Sequence, residues 1–93
     1  MLYSSTWLKI MPLSIKKEIL QKTFGQHIRK IRLQKGLTQL DVSSTMNKDQ
    51  QSLQRVESGN VSPSLYYLFQ LADGLGISIQ ELMTFEIITK KRK

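Results

Sequence analysis

The sequence predicts an all-α fold of five helices, with an N-terminal helical extension and a short basic C-terminal tail. Three observations predict it. Apolar residues recur three or four positions apart along most of the chain, which is the spacing of one helix face. Residues that start helices punctuate that pattern: Thr38 with Asp41, then Asp49, then Ser62-Pro63, then Ser78 with Glu81. Cysteine is absent, so neither a disulfide nor a thiolate metal site is available, and the fold must rest on apolar packing.

Residues 1–13 show no clean period and read as an arm, with Met11 a second candidate start of translation. From Ser14 the pattern turns helical: Ile15, Ile19, Ile28 and Ile31 share a spacing, and Leu20 and Phe24 fill the gap. Gly25 interrupts it at a cost of about 1 kcal/mol against Ala in a helix interior. The segment is therefore either one long helix or two shorter ones, ending at Lys35-Gly36. Thr38 and Asp41 open a second helix with Leu40, Val42 and Met46 as its apolar contacts, and Asn47 suits the left-handed residue of a tight turn. Asp49 caps a third helix, in which Leu53 and Val56 point inward while Gln50, Gln51, Ser52, Gln54 and Arg55 are polar.

Gly59 and Asn60 stop it, and Ser62-Pro63 starts a fourth helix, with Ser as cap and Pro in the first turn. Its inward stripe is Leu65, Leu68, Leu71, Ala72 and Leu75. Ser78 and Glu81 form a capping box for a short fifth helix carrying Ile79, Leu82 and Met83. Residues 84–89 are β-prone, and Lys90 to Lys93 read as a frayed basic tail. The expected organisation is an arm (1–13), one domain (14–83) with the paired helices at 38–58, and a tail (84–93).

A chain of 93 residues makes one small domain with a thin core, so a partner subunit would help it. No apolar run reaches the roughly 18 residues of a membrane span, and the N-terminus lacks the features of a signal peptide. A cytoplasmic location follows as an expectation. The net charge is +7 and unevenly spread: residues 60–83 carry no Lys or Arg, only Asp73 and Glu81. A basic N-terminal half beside an acid-leaning segment suits one face for a polyanion and another for something else, although scattered solubilising charge has the same composition.

Two short helices joined by a tight turn, the second with a polar outer face, match the helix-turn-helix pattern. Such a helix fits the major groove of B-DNA, where Gln pairs bidentately with adenine and Arg with guanine. The ordered set Ile28-Arg29-Lys30-Ile31-Arg32, Gly36-Leu37-Thr38-Gln39, Leu53-Gln54-Arg55-Val56-Glu57-Ser58-Gly59, Pro63-Ser64-Leu65 and Leu71-Ala72-Asp73-Gly74-Leu75-Gly76-Ile77-Ser78 resembles the lambda-repressor-like, Cro/C1 or XRE family. It covers about two-thirds of the chain.

The resemblance implies a five-helix DNA-binding domain that acts as a dimer. It implies a DNA-binding set of Thr38, Gln39, Lys48, Gln50, Gln51, Ser52, Gln54, Arg55, Asn60 and Ser62. Gln39 matches a residue that holds the DNA backbone and braces the recognition helix. Gln50, Gln51 and Ser52 match the opening of that helix, with Gln54 and Arg55 further along. Asn60 and Ser62 match a phosphate-touching loop, and Arg32 and Glu57 match an ion pair. The chain departs from the pattern at two positions. Lys48 replaces an apolar turn residue and is expected to weaken the core there, and Ser43 replaces a small Ala where two helices pack closely.

Other readings weigh against these. The glutamines are also compatible with a solvated helix face, and Arg29, Lys30 and Lys35 with solvated charge. His27 is the single histidine and cannot make a metal site alone. Ser43, Ser44 and Ser52 lack a base to activate them, and Gly74-Leu75-Gly76 lacks the Lys-Ser/Thr of a phosphate loop. No enzyme activity, cofactor or metal is expected. Apolar groups between Tyr66 and Ile88 exceed what one small core hides, which suits a homodimer patch over residues 65–88. The competing possibilities are that residues 84–89 fold back over the domain, or that Tyr3 and Trp7 cover it. The function expected is a sequence-specific transcriptional regulator, most simply a repressor, on a roughly palindromic operator. The alternatives are a DNA-binding antitoxin with a toxin partner, and a protein-interaction module on the same fold.

Overall fold

The computed structural model describes residues 16–87, so the expectations for the arm, for Ser14 and Ile15, and for the tail beyond Ile87 lie outside the described residues. Five helices follow in order: α1 (Lys17–Gln34), α2 (Gln39–Thr45), α3 (Gln50–Glu57), α4 (Leu65–Leu75) and α5 (Ile79–Leu82). No strand occurs among the described residues. The β-prone composition after Thr84 does not produce one: residues 84–87 are irregular, and Phe85 instead packs on Phe24, ring centroids 5.5 Å apart. Among the described residues no second extended segment is available to pair with it, and Phe85 folds back on α1.

α1 runs unbroken through Gly25. A Cβ at that position would stand 2.5 Å from the carbonyl oxygens of both Val56 and Glu57. Gly25 therefore allows α1 to cross the end of α3 at backbone contact, which offsets its poor helix propensity. α1 rests on α3, α2 packs on both α3 and α4, and α5 closes against α4. The core between them is Phe24, Ile28, Val42, Met46, Leu53, Val56, Leu71, Ala72, Leu75 and Leu82.

Several apolar residues expected inside lie outside. Ile19 and Leu20 are exposed on the first turns of α1, beyond the reach of the core. Leu40 is 58% exposed because Val42, Ser43 and Met46 define the inward face of α2 and Leu40 falls on its far flank. Leu65, the first residue of α4, is 71% exposed.

The start of α4 also differs from expectation. Its N-cap is Ser64, whose hydroxyl accepts from the Tyr67 backbone N–H at 3.1 Å, so Pro63 precedes the cap. Ser62 is taken by another partner: its hydroxyl accepts from Gln21 Nε2 at 2.6 Å. At α5 only half the capping box forms, with Ser78 accepting from the Glu81 N–H at 3.0 Å. At α2 the box is complete: Asp41 N donates to Thr38 Oγ1 at 3.0 Å, and Thr38 N donates to Asp41 Oδ2 at 2.8 Å. Asn47 adopts φ 58° in the α2–α3 turn, as its tolerance of that region allows.

Candidate nucleic-acid interface

The turn after α2 aims α3 outward. Asp49 caps α3 by accepting from Ser52 N at 3.0 Å. Leu53 and Val56, three residues apart, anchor one side in the core. That leaves Gln50, Gln51, Gln54 and Arg55 exposed together along the opposite side.

Behind this face lies a polar brace. Arg32 and Glu57 are 8% and 9% exposed. Arg32 Nε donates to Glu57 Oε2 at 2.7 Å and Nη2 to Oε1 at 2.9 Å, a bidentate pair. Arg32 Nη1 donates to the Leu37 carbonyl at 2.9 Å, tying in the α1–α2 loop. The Glu57 carboxylate holds the Arg32 guanidinium above its ordinary pKa, mainly through that hydrogen bond and against the opposing effect of burial. Half-buried Gln39 donates from Nε2 to Glu57 Oε1 at 3.1 Å, and its Oε1 accepts a long bond from Gln50 Nε2 at 3.4 Å. One chain of contacts thus runs from the first residue of α3, through α2, to the ion pair under its last turn.

Ser52 is placed differently from the glutamines. Its hydroxyl donates to the Asp49 carbonyl at 3.1 Å and lies 3.3 Å from Tyr67 Oη. The single Ser52 proton is committed to Asp49, so Tyr67 is the donor to Ser52. Burial pushes the Tyr67 hydroxyl up. Ser52 therefore latches α3 to α4. Tyr67 was not foreseen from the sequence, since a contact across 15 residues between two helices has no periodic signature.

The remaining candidates divide. Thr38 spends its hydroxyl on the capping box. Lys48 is exposed in the turn, and the buried side chains of Val42 and Met46 line the core beside it. Ser43 is fully buried between the helices, as a small residue there must be. Asn60 is exposed with its backbone N–H on the Arg55 carbonyl at 3.0 Å, and Ser62 is exposed and held by Gln21.

The Thr38 backbone N–H, and then its hydroxyl, hold the Asp41 carboxyl below the usual carboxylate range. A depressed carboxyl contributes stability that is full above its unfolded value, about 3.9, and is lost as pH falls through the folded value. Urea midpoints of the wild type and Asp41→Asn should therefore differ at pH 6, and the gap should begin to shrink as pH falls below about 4 and close in stronger acid. A gap that persists unchanged in acid would exclude the carboxylate as its source.

A capped, outward-facing polar helix, joined to a second by a tight turn and braced from behind, is a helix-turn-helix. The chain belongs to the helix-turn-helix family HTH_3, whose profile matches residues 28–82. It is 37% identical over 65 residues to the uncharacterized HTH-type transcriptional regulator y4dJ of Sinorhizobium fredii, covering 70% of this chain and 84% of that protein. Among solved structures, the restriction-modification controller protein C.AhdI of Aeromonas hydrophila superposes with a TM-score of 0.65 at 33% identity, covering 68% of this chain and 96% of that one. The controller protein C.Esp1396I, solved as a tetramer in complex with its natural 35 base-pair operator, gives 0.61 at 27% identity, covering 70% and 96%.

Proposed function

We propose that the chain is a sequence-specific DNA-binding transcriptional regulator that acts as a homodimer on a roughly palindromic operator. The observation that carries this is the exposed row Gln50, Gln51, Gln54 and Arg55 on a helix whose other side is locked into the core. Amides at the start of a helix in the major groove reach base edges, where Gln pairs with adenine N6 and N7. Gln50 would exchange its long bond to Gln39 for such a pair. Gln39, freed on that side and still held by Glu57, would turn its amide toward the backbone. Arg55 serves guanine or phosphate, and Lys48, Asn60 and Ser62 serve phosphate. Thr38 and Ser52 act through the caps and the latch that hold the helices in place.

The dimer reading is supported by Leu65, Tyr66, Phe69 and Met83, which are large, apolar and exposed, in a stretch without cationic residues. The operator-bound tetramer of C.Esp1396I supports binding by more than one copy. Two recognition helices would then enter successive major grooves about 34 Å apart. Repression by occupancy is the simplest outcome, in the cytoplasm where the DNA lies, and the proposal gives the chain no catalytic role. No described helix is long and apolar enough to cross a membrane.

A salt series tests the proposal. With six to ten phosphate contacts per complex, affinity should fall about 10³–10⁵-fold between 50 and 200 mM salt. Failure to bind any duplex at low salt would overturn it.

A further inference from the structure

We propose that the first turns of α1 form an accessory clamp on the DNA backbone, with Lys17 and Lys22 each neutralising a phosphate beside the loop that follows the recognition helix. This rests on the DNA-binding reading above and adds a contact surface from outside the helix-turn-helix.

The family profile begins at residue 28, whereas α1 begins at Lys17. About three turns of α1 therefore precede the matched region. They are seated on the loop between α3 and α4 by three contacts. Gln21 Nε2 donates to Ser62 Oγ at 2.6 Å. Gly59, at φ +77°, lies so close to α1 that a Cβ there would stand 2.8 Å from both Cα and Cγ of Lys22. Lys22 Nζ donates to the carbonyl of Ser58, the C-cap of α3, at 3.5 Å. The ammonium of Lys22 thus stands at the same end of the recognition helix as Arg55, above the loop that presents Asn60 and Ser62.

Lys17 lies one helical turn before Gln21, four residues along the same face of α1. The Gln21–Ser62 bond therefore places Lys17 just past the edge of that loop. Residues 16–22 carry Lys16, Lys17 and Lys22 against the single acid Glu18, and all four are exposed. Capping of the α3 C-terminus accounts for one donor of Lys22 and leaves two. It accounts for nothing at Lys17, which makes no ion pair among the described residues. Lysine on a long stem is a point charge that suits phosphate more than a base edge, so the clamp adds affinity without sequence preference.

The test is the salt dependence of binding to two duplexes, one selected from a random pool by the wild type and one unrelated. Because the dimer carries each residue twice, Lys17→Gln and Lys22→Gln should each lower the slope of log affinity against log salt by about 1.8, a loss of about thirtyfold at 150 mM. The loss should be equal on both duplexes, and the arginine variants should restore it. Lys17→Gln should leave the urea midpoint in place, so it remains decisive even if Lys22→Gln loosens the α3 cap. Slopes unchanged in both glutamine variants overturn the clamp while the regulator reading stands. A wild type that binds neither duplex overturns both.

Discussion

Glu57→Ala is expected to lower the unfolding free energy by about 3–5 kcal/mol, read as a fall in urea midpoint at constant slope. The carboxylate accepts two hydrogen bonds from Arg32 and one from Gln39, all within 3.1 Å. Truncation strands a guanidinium that is itself 8% exposed, and an unpaired buried charge costs far more than the intact pair contributes. A domain of this size holds only on the order of 5–15 kcal/mol in total, so much of the fold's margin rests on one carboxylate. The pair-replacing variant Arg32→Met/Glu57→Leu should recover most of the loss, since it leaves no orphan charge. It should not recover operator binding in full, because Gln39 would lose the acceptor that holds it. A double variant no more stable than Glu57→Ala would refute the orphan-charge explanation.

Gly25→Ala is expected to destabilise the protein by about 1–3 kcal/mol or more, lowering Tm by roughly 4–8 °C for each kcal/mol. Helix propensity alone demands the opposite sign, a gain of about 1 kcal/mol. Sterics outweigh it because the atoms 2.5 Å from the added methyl are backbone oxygens of Val56 and Glu57, which no rotamer change removes. To relieve the clash α1 must lift from α3, exactly where Phe24 and Ile28 meet Leu53 and Val56 in the core. A rise in Tm would show that the two helices do not cross this closely.

These two positions also mark where the sequence was and was not legible. The Arg32–Glu57 pair followed from a resemblance to a family, and the period of Leu53 and Val56 was enough to turn the glutamines of α3 outward. Asp49, Thr38 and Asn47 declared the ends of α2 and α3 through local chemistry acting over three residues or fewer. Legibility ended wherever the deciding contact was distant. Ser62 and Ser64 flank the same proline, and only the Gln21 side chain 41 residues away decides which serine is free to cap α4. Gly25 looked like a possible break because its justification lies on another helix. Leu40 and Leu65 fit an apolar spacing yet are exposed, since spacing defines a face without saying how wide the neighbouring element is. Ser52 shared its sequence context with the glutamines, and the hydroxyl of Tyr67 is what separates its role from theirs.

The outward glutamines of α3 are tested most directly by duplex selection from a random pool at low ionic strength, run in parallel for the wild type and for Gln50→Ala/Gln51→Ala. The wild type should enrich an inverted repeat. The double variant should still bind DNA but lose about 1–3 kcal/mol of discrimination at corresponding positions in each half-site. Recovery of the same repeat with undiminished preference by the variant would contradict the assignment of α3 as the reading helix.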